Sequence, residues 1–289
     1  MRWFWLNHSV HHSPNQLNLS AAVRIGIFGK LTGVGLFFLP LVWMAMSAFK
    51  DNGAILRTPF SLPTHWDFSV FAEAWDAGGI GRYAVNSAIV TGATTAAVLL
   101  LGSMAAYAFA RFEFRGSGLM LALFTLGLIL PIQSYFVAQN AMFDALHIKD
   151  TRLALILPYT AMGLSLAIWL LRAYLQSLPK ELFEAARVDG AGDWLIYRRI
   201  VLPLLKPGLA TVAVFTVLAA WNEFLLALLY IQDESLKTIP VGLLAFSTKY
   251  ITDYQLLFAA LTMVTVPMVA VYAMFNRQVV AGLTEGSMK

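Results

Sequence analysis

The sequence predicts an all-α, polytopic membrane protein with six transmembrane helices. Three observations predict it: scarce charge, long uncharged stretches, and cations gathered on one side. Of 289 residues, 59% are hydrophobic and 12% charged, where a soluble domain carries roughly 45–50% and about 25%. Mean hydropathy is +0.69. A water-soluble globule could not cover itself with so few charges. That excludes a soluble enzyme, a nucleic-acid-binding domain and a disordered chain. The net charge of +4 comes from 20 Lys+Arg against 16 Asp+Glu. It is a small imbalance and not a basic patch for nucleic acid. The chain has no cysteine, so disulfides, thiolate metal sites and Cys nucleophiles are absent.

A spanning helix needs about 20 mostly apolar residues to cross a hydrocarbon core roughly 30 Å thick. Uncharged runs of that length lie between Lys30 and Lys50, Arg82 and Arg111, Arg115 and Asp144, Arg152 and Arg172, and Asp253 and Arg277. A sixth starts after Lys206 and reaches Ile231, broken only by Glu223. The predicted spans are therefore 31–49, 86–110, 118–138, 153–171, 209–231 and 254–276. Residues 1–30 form a cytoplasmic leader and 277–289 a cytoplasmic tail. The leader is a poor signal peptide, because its apolar stretch is short and no small-residue cleavage site follows.

Six spans put both termini on one side. That side holds thirteen cations: Arg2, Arg24, Lys30, Arg111, Arg115, Arg172, Lys180, Arg187, Arg198, Arg199, Lys206, Arg277 and Lys289. The other holds seven: Lys50, Arg57, Arg82, Lys149, Arg152, Lys237 and Lys249. Excess positive charge marks the cytoplasmic side. The termini, the loop at 111–117 and the long loop at 172–208 are therefore cytoplasmic, and Thr248 is exterior. Pro40, Gly102, Pro131, Pro158, Gly163 and Pro267 interrupt the spans. Small residues such as Gly92, Ala93, Ala96 and Ala97 allow close helix approach. Kinked, closely packed helices suit a transporter or channel, although Pro and Gly are common in spanning helices generally.

Several apparent sites fail on their chemistry. Gly29-Lys30 resembles the end of a phosphate loop, but Arg24 and Leu31 stand where Gly and Ser or Thr are needed. His8, His11 and His12 have helical spacing, but nothing nearby completes a ligand set and Ser13-Pro14 breaks the segment. Gly163-Leu164-Ser165 lies within a span, yet no His does, and Ser without a base is not an activated nucleophile. It reads as a small packing residue. A membrane-embedded hydrolase or transferase would need such a base or a metal site. Glu223 is the one ionisable residue inside a span. It either lines a path or reaches the outer interface or a neighbouring helix.

The loop at 172–208 departs from the spans in composition. Ser177-Leu178-Pro179 marks a helix start. Leu182, Ala185, Ala186 and Val188 form an apolar stripe, with Glu181 and Glu184 one turn apart. Asp189-Gly190 is a turn, and Gly190 suits positive φ. Asp193 caps a second helix carrying Leu195, Ile196 and Ile200. Leu202-Pro203 and Pro207-Gly208 redirect the chain into the fifth span. Short amphipathic helices rimmed by charge mark a docking surface.

This loop resembles the EAA loop of ABC importer permeases: EAA, three residues, Gly, nine residues, Ile, one residue, Leu-Pro. Here the motif falls on Glu184-Ala185-Ala186, Gly190, Ile200 and Leu202-Pro203 without departure. Asp189-Gly190-Ala191 resembles the carbohydrate-uptake branch. Asn86-Ser87, the segment 105–111, Trp221-Asn222-Glu223-Phe224 and Pro240-Val241-Gly242-Leu243 agree. The tail from Gly282 to Lys289 resembles the second permease subunit of maltose-type importers, with a departure at Asn276-Arg277-Gln278, where Gln-Arg is expected.

The resemblance implies a subunit without enzymatic activity or bound cofactor, in the inner membrane of a prokaryote. It implies a homologous second permease, two cytoplasmic ATPases that bind the ATP, and an extracytoplasmic solute-binding protein. Glu184, Ala185, Ala186, Asp189, Gly190, Ala191, Ile200, Leu202 and Pro203 would form the ATPase-coupling element. Gln133, Tyr135, Asn222 and Glu223 are the candidates for the substrate path, as polar groups within spans or at their outer ends. Tyr135 fits both a platform for a sugar ring and an interfacial anchor. Disaccharides, oligosaccharides, polyols and glycerol phosphates all fit as cargo.

Overall fold

The computed structural model describes residues 38–247 and 252–285, with side chains to 275. The predicted leader with its histidines, the start of the first span, Thr248 and residues 286–289 lie outside the described residues. Among the described residues the chain is helical, and the one β contact is an isolated bridge between Ser247 and Thr252.

Helix α1 (Phe38–Ser47) ends at a turn where buried Lys50 donates to the Pro59 carbonyl at 2.9 Å. Short α2 (Asn52–Arg57) is capped by Asp51, which accepts from the Ala54 amide. α3 (Ser69–Ala77) leads to α4 (Ile80–Arg111). α4 matches the span predicted at 86–110 and begins almost two turns earlier. α7 (Leu153–Ser177) matches 153–171 and runs past it. α13 (Tyr254–Glu285) matches 254–276 and continues without a break beyond Arg277.

Two predicted spans are broken. The run at 118–138 splits into α5 (Ser117–Ile129), a turn at Ile132–Ser134 and α6 (Phe136–Ala145). The cause is Pro131, which has no N–H to donate and pushes Leu130 into an extended conformation, ψ 120°. The run at 209–231 splits into α10 (Lys206–Asn222) and α11 (Leu225–Tyr230) at an extended Glu223, ψ 122°. Between them and α7 lie α8 (Glu181–Val188) and α9 (Asp193–Leu204). A short α12 (Ile239–Gly242) precedes α13.

Among the described residues three helices are long and apolar enough to cross a membrane: α4, α7 and α13. The pair α9 and α10, bent by 73°, makes a fourth if taken as one span. α5 buries none of its residues within the chain. Leu119, Leu123 and Leu126 on it are exposed. In a bilayer such a face meets lipid or another apolar helix.

α4 packs along α7, and α10 lies against both and against α13. Small residues set these crossings. A Cβ on Gly102 would stand 2.8 Å from the Ala167 Cβ, and one on Gly163 would stand 2.7 Å from a Val98 methyl. Ser165 fills a similar niche, since a Cβ on Gly127 would stand 2.4 Å from its Oγ. That is the packing role expected of it.

The motif Asn86-Ser87 ties α4 to the loop before α12. Asn86 Nδ2 donates to the Ser235 and Lys237 carbonyls at 2.8 and 3.0 Å. Arg152 donates to Asn86 Oδ1 at 2.9 Å, and Ser87 Oγ accepts from the Ile239 amide at 2.9 Å. Glu234 in this loop is held below the usual carboxyl range, first by hydrogen bonding from Lys237 and then from the Tyr83 hydroxyl. Gly242 lies flat on Tyr83, where a Cβ would come within 2.0 Å of the ring.

Candidate functional site

The loop between α7 and α10 is built from two short helices with different jobs. α7 stops at Ser177, and Pro179 separates it from α8, which starts at Glu181. One side chain anchors α8 to the bundle: Phe183, 5% exposed. The Arg111 guanidinium lies 3.6 Å over its ring, and Arg111 also donates to the Leu175 carbonyl at 3.0 Å. Burying a phenyl ring stabilises by about 1.5–3 kcal/mol, so this contact decides which face of α8 turns inward. Ala186 is half-buried beside it, while Leu182, Glu184, Ala185 and Val188 are exposed. The expected single stripe is thus two faces. Phe183 and Ala186 face the chain's own bundle; Leu182, Ala185 and Val188, flanked by Glu181 and Glu184, face away.

The end of α8 explains the motif's spacing. Gly190 has φ +83°. Its N–H donates to the Arg187 carbonyl at 3.0 Å, and the Ala191 N–H donates to the Ala186 carbonyl at 2.9 Å. This crossed pair is a Schellman cap, in which a left-handed residue reverses the chain and satisfies the last carbonyls. Ala186, Asp189, Gly190 and Ala191 therefore sit where the cap geometry puts them. Gly192 precedes α9, so Asp193 is the first helical residue and not its cap. Its carboxylate instead accepts from Arg187 at 3.1 Å, which ties α9 back to α8. Both side chains are about half exposed, so this link is worth at most about 1 kcal/mol.

α9 is held far more firmly. Ile196, Tyr197 and Val201 are buried with Ala106 and Tyr107 of α4 and Leu171 and Leu175 of α7. The Tyr197 hydroxyl lies 2.8 Å from Ser103 Oγ. Ile200 and Leu202 pack at the edge of this cluster, and Pro203 is exposed. A π-helical turn at Tyr197–Val201 and the bend before Lys206 redirect the chain into α10. The sequence singles out neither Tyr197, Phe183 nor Ser103, and it gives Arg111 only as a cytoplasmic cation at the end of the segment 105–111. Their roles come from contacts between elements distant in sequence, which no local spacing encodes.

The four path candidates do not converge. An interior cavity of about 230 Å³ lies between α4, α5, α7 and α10, and among the four only Glu223 lines it, with Thr94, Tyr159 and Thr216. Gln133 is exposed in the turn after Pro131, and Tyr135 is half-buried beside it. Asn222 is exposed and donates back to the Leu218 carbonyl at 2.8 Å. The Glu223 carboxylate accepts from the Tyr159 hydroxyl at 2.5 Å and from the Leu226 and Ala227 amides at 2.9 and 3.2 Å. It pairs with a neighbouring helix, accepts from the first amides of α11 and also lines this cavity. Among the described residues no cluster of His, Asp and Glu could hold a metal ion.

The chain matches the model of a family described as binding-protein-dependent transport system inner membrane component over residues 98–284. It is 38% identical over 253 residues to the diacetylchitobiose uptake system permease protein NgcG of Streptomyces coelicolor, covering 87% of this chain and 84% of that one. It is 32% identical over 266 residues to the trehalose/maltose transport system permease protein MalG of Thermococcus litoralis, covering 91% and 95%. In fold it resembles a chain of a bacterial ABC transporter involved in import of the acidic polysaccharide alginate, with TM-score 0.72, 20% identity, and coverage of 90% and 95%. The chain belongs to the family of inner-membrane components of binding-protein-dependent transport systems, and is a permease subunit and not an enzyme.

Proposed function

We propose that this chain is one of two homologous permease subunits that enclose a single path for a sugar or related polyhydroxylated solute, driven by two cytoplasmic ATPases and supplied by an extracytoplasmic binding protein. Relatives named for diacetylchitobiose and for trehalose and maltose support the cargo class. ATP is bound by the ATPases, and this chain supplies no nucleotide site. The permease domain is 31–276 with six spans, flanked by a leader at 1–30 and a tail at 277–289, and both termini are cytoplasmic.

The observation that carries this reading is the outward face of α8. Glu184 and Ala185 are exposed on a helix fixed behind by Phe183 and ended by the Gly190 cap. That face docks in a groove on one of the two ATPases, with Glu184 opposite a basic group. Force on α8 passes through the Gly190 turn to α9, whose Ile196, Tyr197 and Val201 are clamped between α4 and α7. Closure of the ATPase pair then moves α4, α7 and α9 as one body. The path alternates between two packed states, each favoured by different ligands. Glu223 with Tyr159 stands on the path, and Gln133, Tyr135 and Asn222 lie towards its outer mouth.

Topology offers a direct test, because the chain has no native cysteine. A Gly192→Cys variant in intact cells should react with a membrane-impermeant maleimide only after permeabilisation. Labelling from outside would overturn both the orientation and the coupling role.

A further inference from the structure

A second cavity, of about 380 Å³, opens where α4 ends and α8 begins. It is lined by Arg111, Arg172, Lys180 and Arg187 against only two carboxylates, Glu113 and Glu184. Its size falls within the roughly 300–1,000 Å³ typical of small-molecule sites. No ion pair among the described residues joins Arg111, Arg172 or Lys180 to either carboxylate. Arg172 donates Nε to the Phe109 carbonyl at 3.3 Å, which fixes its guanidinium at the wall. Arg111 is fixed by Leu175 and Phe183, yet its Nε is buried without a hydrogen-bond partner. Two fixed guanidinium groups and the Lys180 ammonium, none of them ion-paired to the two carboxylates, make this cavity suited to an anion.

We propose that this cavity binds a phosphate group, and that its occupancy steadies α8. A tetrahedral phosphate offers several acceptor oxygens, enough for the Lys180 ammonium and the outer edge of the Arg172 guanidinium, with the Arg111 charge in the wall beside them. Arg111 stacks on Phe183, the sole buried anchor of α8. An anion held by Arg172 and Lys180 beside Arg111 therefore ties the ends of α4 and α7 to the start of α8. Two sources carry this chemistry: the headgroup of an anionic lipid in the adjacent leaflet, and a soluble phosphate. Basic pockets beside spanning helices on the cytoplasmic side are suited to lipid headgroups. The proposal rests on the orientation given above for its placement in the inner leaflet, and not for the anion site itself.

The test uses the assembled complex of permeases and ATPases in nanodiscs of phosphatidylcholine with phosphatidylglycerol. Native mass spectrometry counts the phosphatidylglycerol retained. Inorganic phosphate is then added as a competitor, with chloride at matched ionic strength as control. The wild-type complex should retain phosphatidylglycerol, or stabilise measurably in inorganic phosphate if the source is soluble. An Arg172→Gln/Lys180→Gln variant should weaken either effect by about tenfold or more, since two charge-assisted contacts are lost. Lys180→Arg should keep it, which separates charge from packing. Equal lipid retention and equal phosphate stabilisation in the wild type and the double variant would overturn the proposal. Displacement of the lipid by phosphate, but not by chloride, assigns the soluble source; retention despite phosphate assigns the headgroup. If Gly192→Cys labels from outside while the double variant still loses anion binding, the orientation fails and the site stands.

Discussion

Replacing Gly190 with valine should leave a membrane-resident permease that recovers its ATPase at least about tenfold less well. The reason is local. Gly190 has φ +83°, and a Cβ there would meet nothing within 4 Å. The penalty is therefore conformational and not a clash. An L-residue in the left-handed region costs roughly 1–2 kcal/mol, and a β-branched one more. The chain escapes by opening the Schellman cap, which frees the Ala186 and Arg187 carbonyls and turns α8 away from α9. Gly190→Asn, which tolerates positive φ, should restore most of the recovery. ATPase pull-down with the three forms is the measurement. Equal recovery by the valine variant would show that the cap does not position α8.

Replacing Glu223 with leucine should destabilise the permease by about 2–4 kcal/mol, because it strands the Tyr159 hydroxyl and two backbone amides. Thermal unfolding of the purified chain in detergent reads this as a fall in Tm on the order of 10 °C. Glu223→Gln keeps an acceptor oxygen for part of the set and should fall by less than half as much. A leucine variant with wild-type Tm would show that these three hydrogen bonds do not hold the α10–α11 break. Wild-type Tm with lost transport would place Glu223 on the path alone.

The long helices were legible because their signal is local and strong. Nothing charged lies between Arg82 and Arg111 or between Arg152 and Arg172, and α4 and α7 fill those intervals. Charge-free length could not reveal the two breaks. Leu130-Pro131 sits in a run as apolar as any other, and α5 ends there with Leu130 extended, whereas Pro158 and Pro267 lie inside unbroken helices. At Glu223 the carboxylate was visible as an anomaly and its bonds to the Leu226 and Ala227 amides are local, but its partner Tyr159 lies far away in sequence. The loop at 172–208 was legible in its turn, since Gly after Asp marks positive φ. Its division into an inward and an outward face was not. Helical spacing groups Leu182 with Ala185 and Ala186, whereas burial is set by where Arg111 presents its guanidinium to Phe183. Asp193 illustrates the same limit: its residue type suits a cap, but Gly192 takes that position and Arg187 takes the carboxylate.

On the proposed function, the exposed face of α8 transmits ATPase closure to the bundle. Glu184 is exposed and makes no ion pair among the described residues, so Glu184→Lys should leave the permease folded, with Tm measured alongside because the new ammonium joins the cations of the cavity beside α8. Against a basic groove the new ammonium introduces like-charge repulsion of up to several kcal/mol. The decisive measurement is ATP hydrolysis by the reconstituted complex with and without loaded solute-binding protein. The unmodified complex should be stimulated by the loaded binding protein and the Glu184→Lys complex should not. Full stimulation and transport by the Glu184→Lys complex would contradict this coupling.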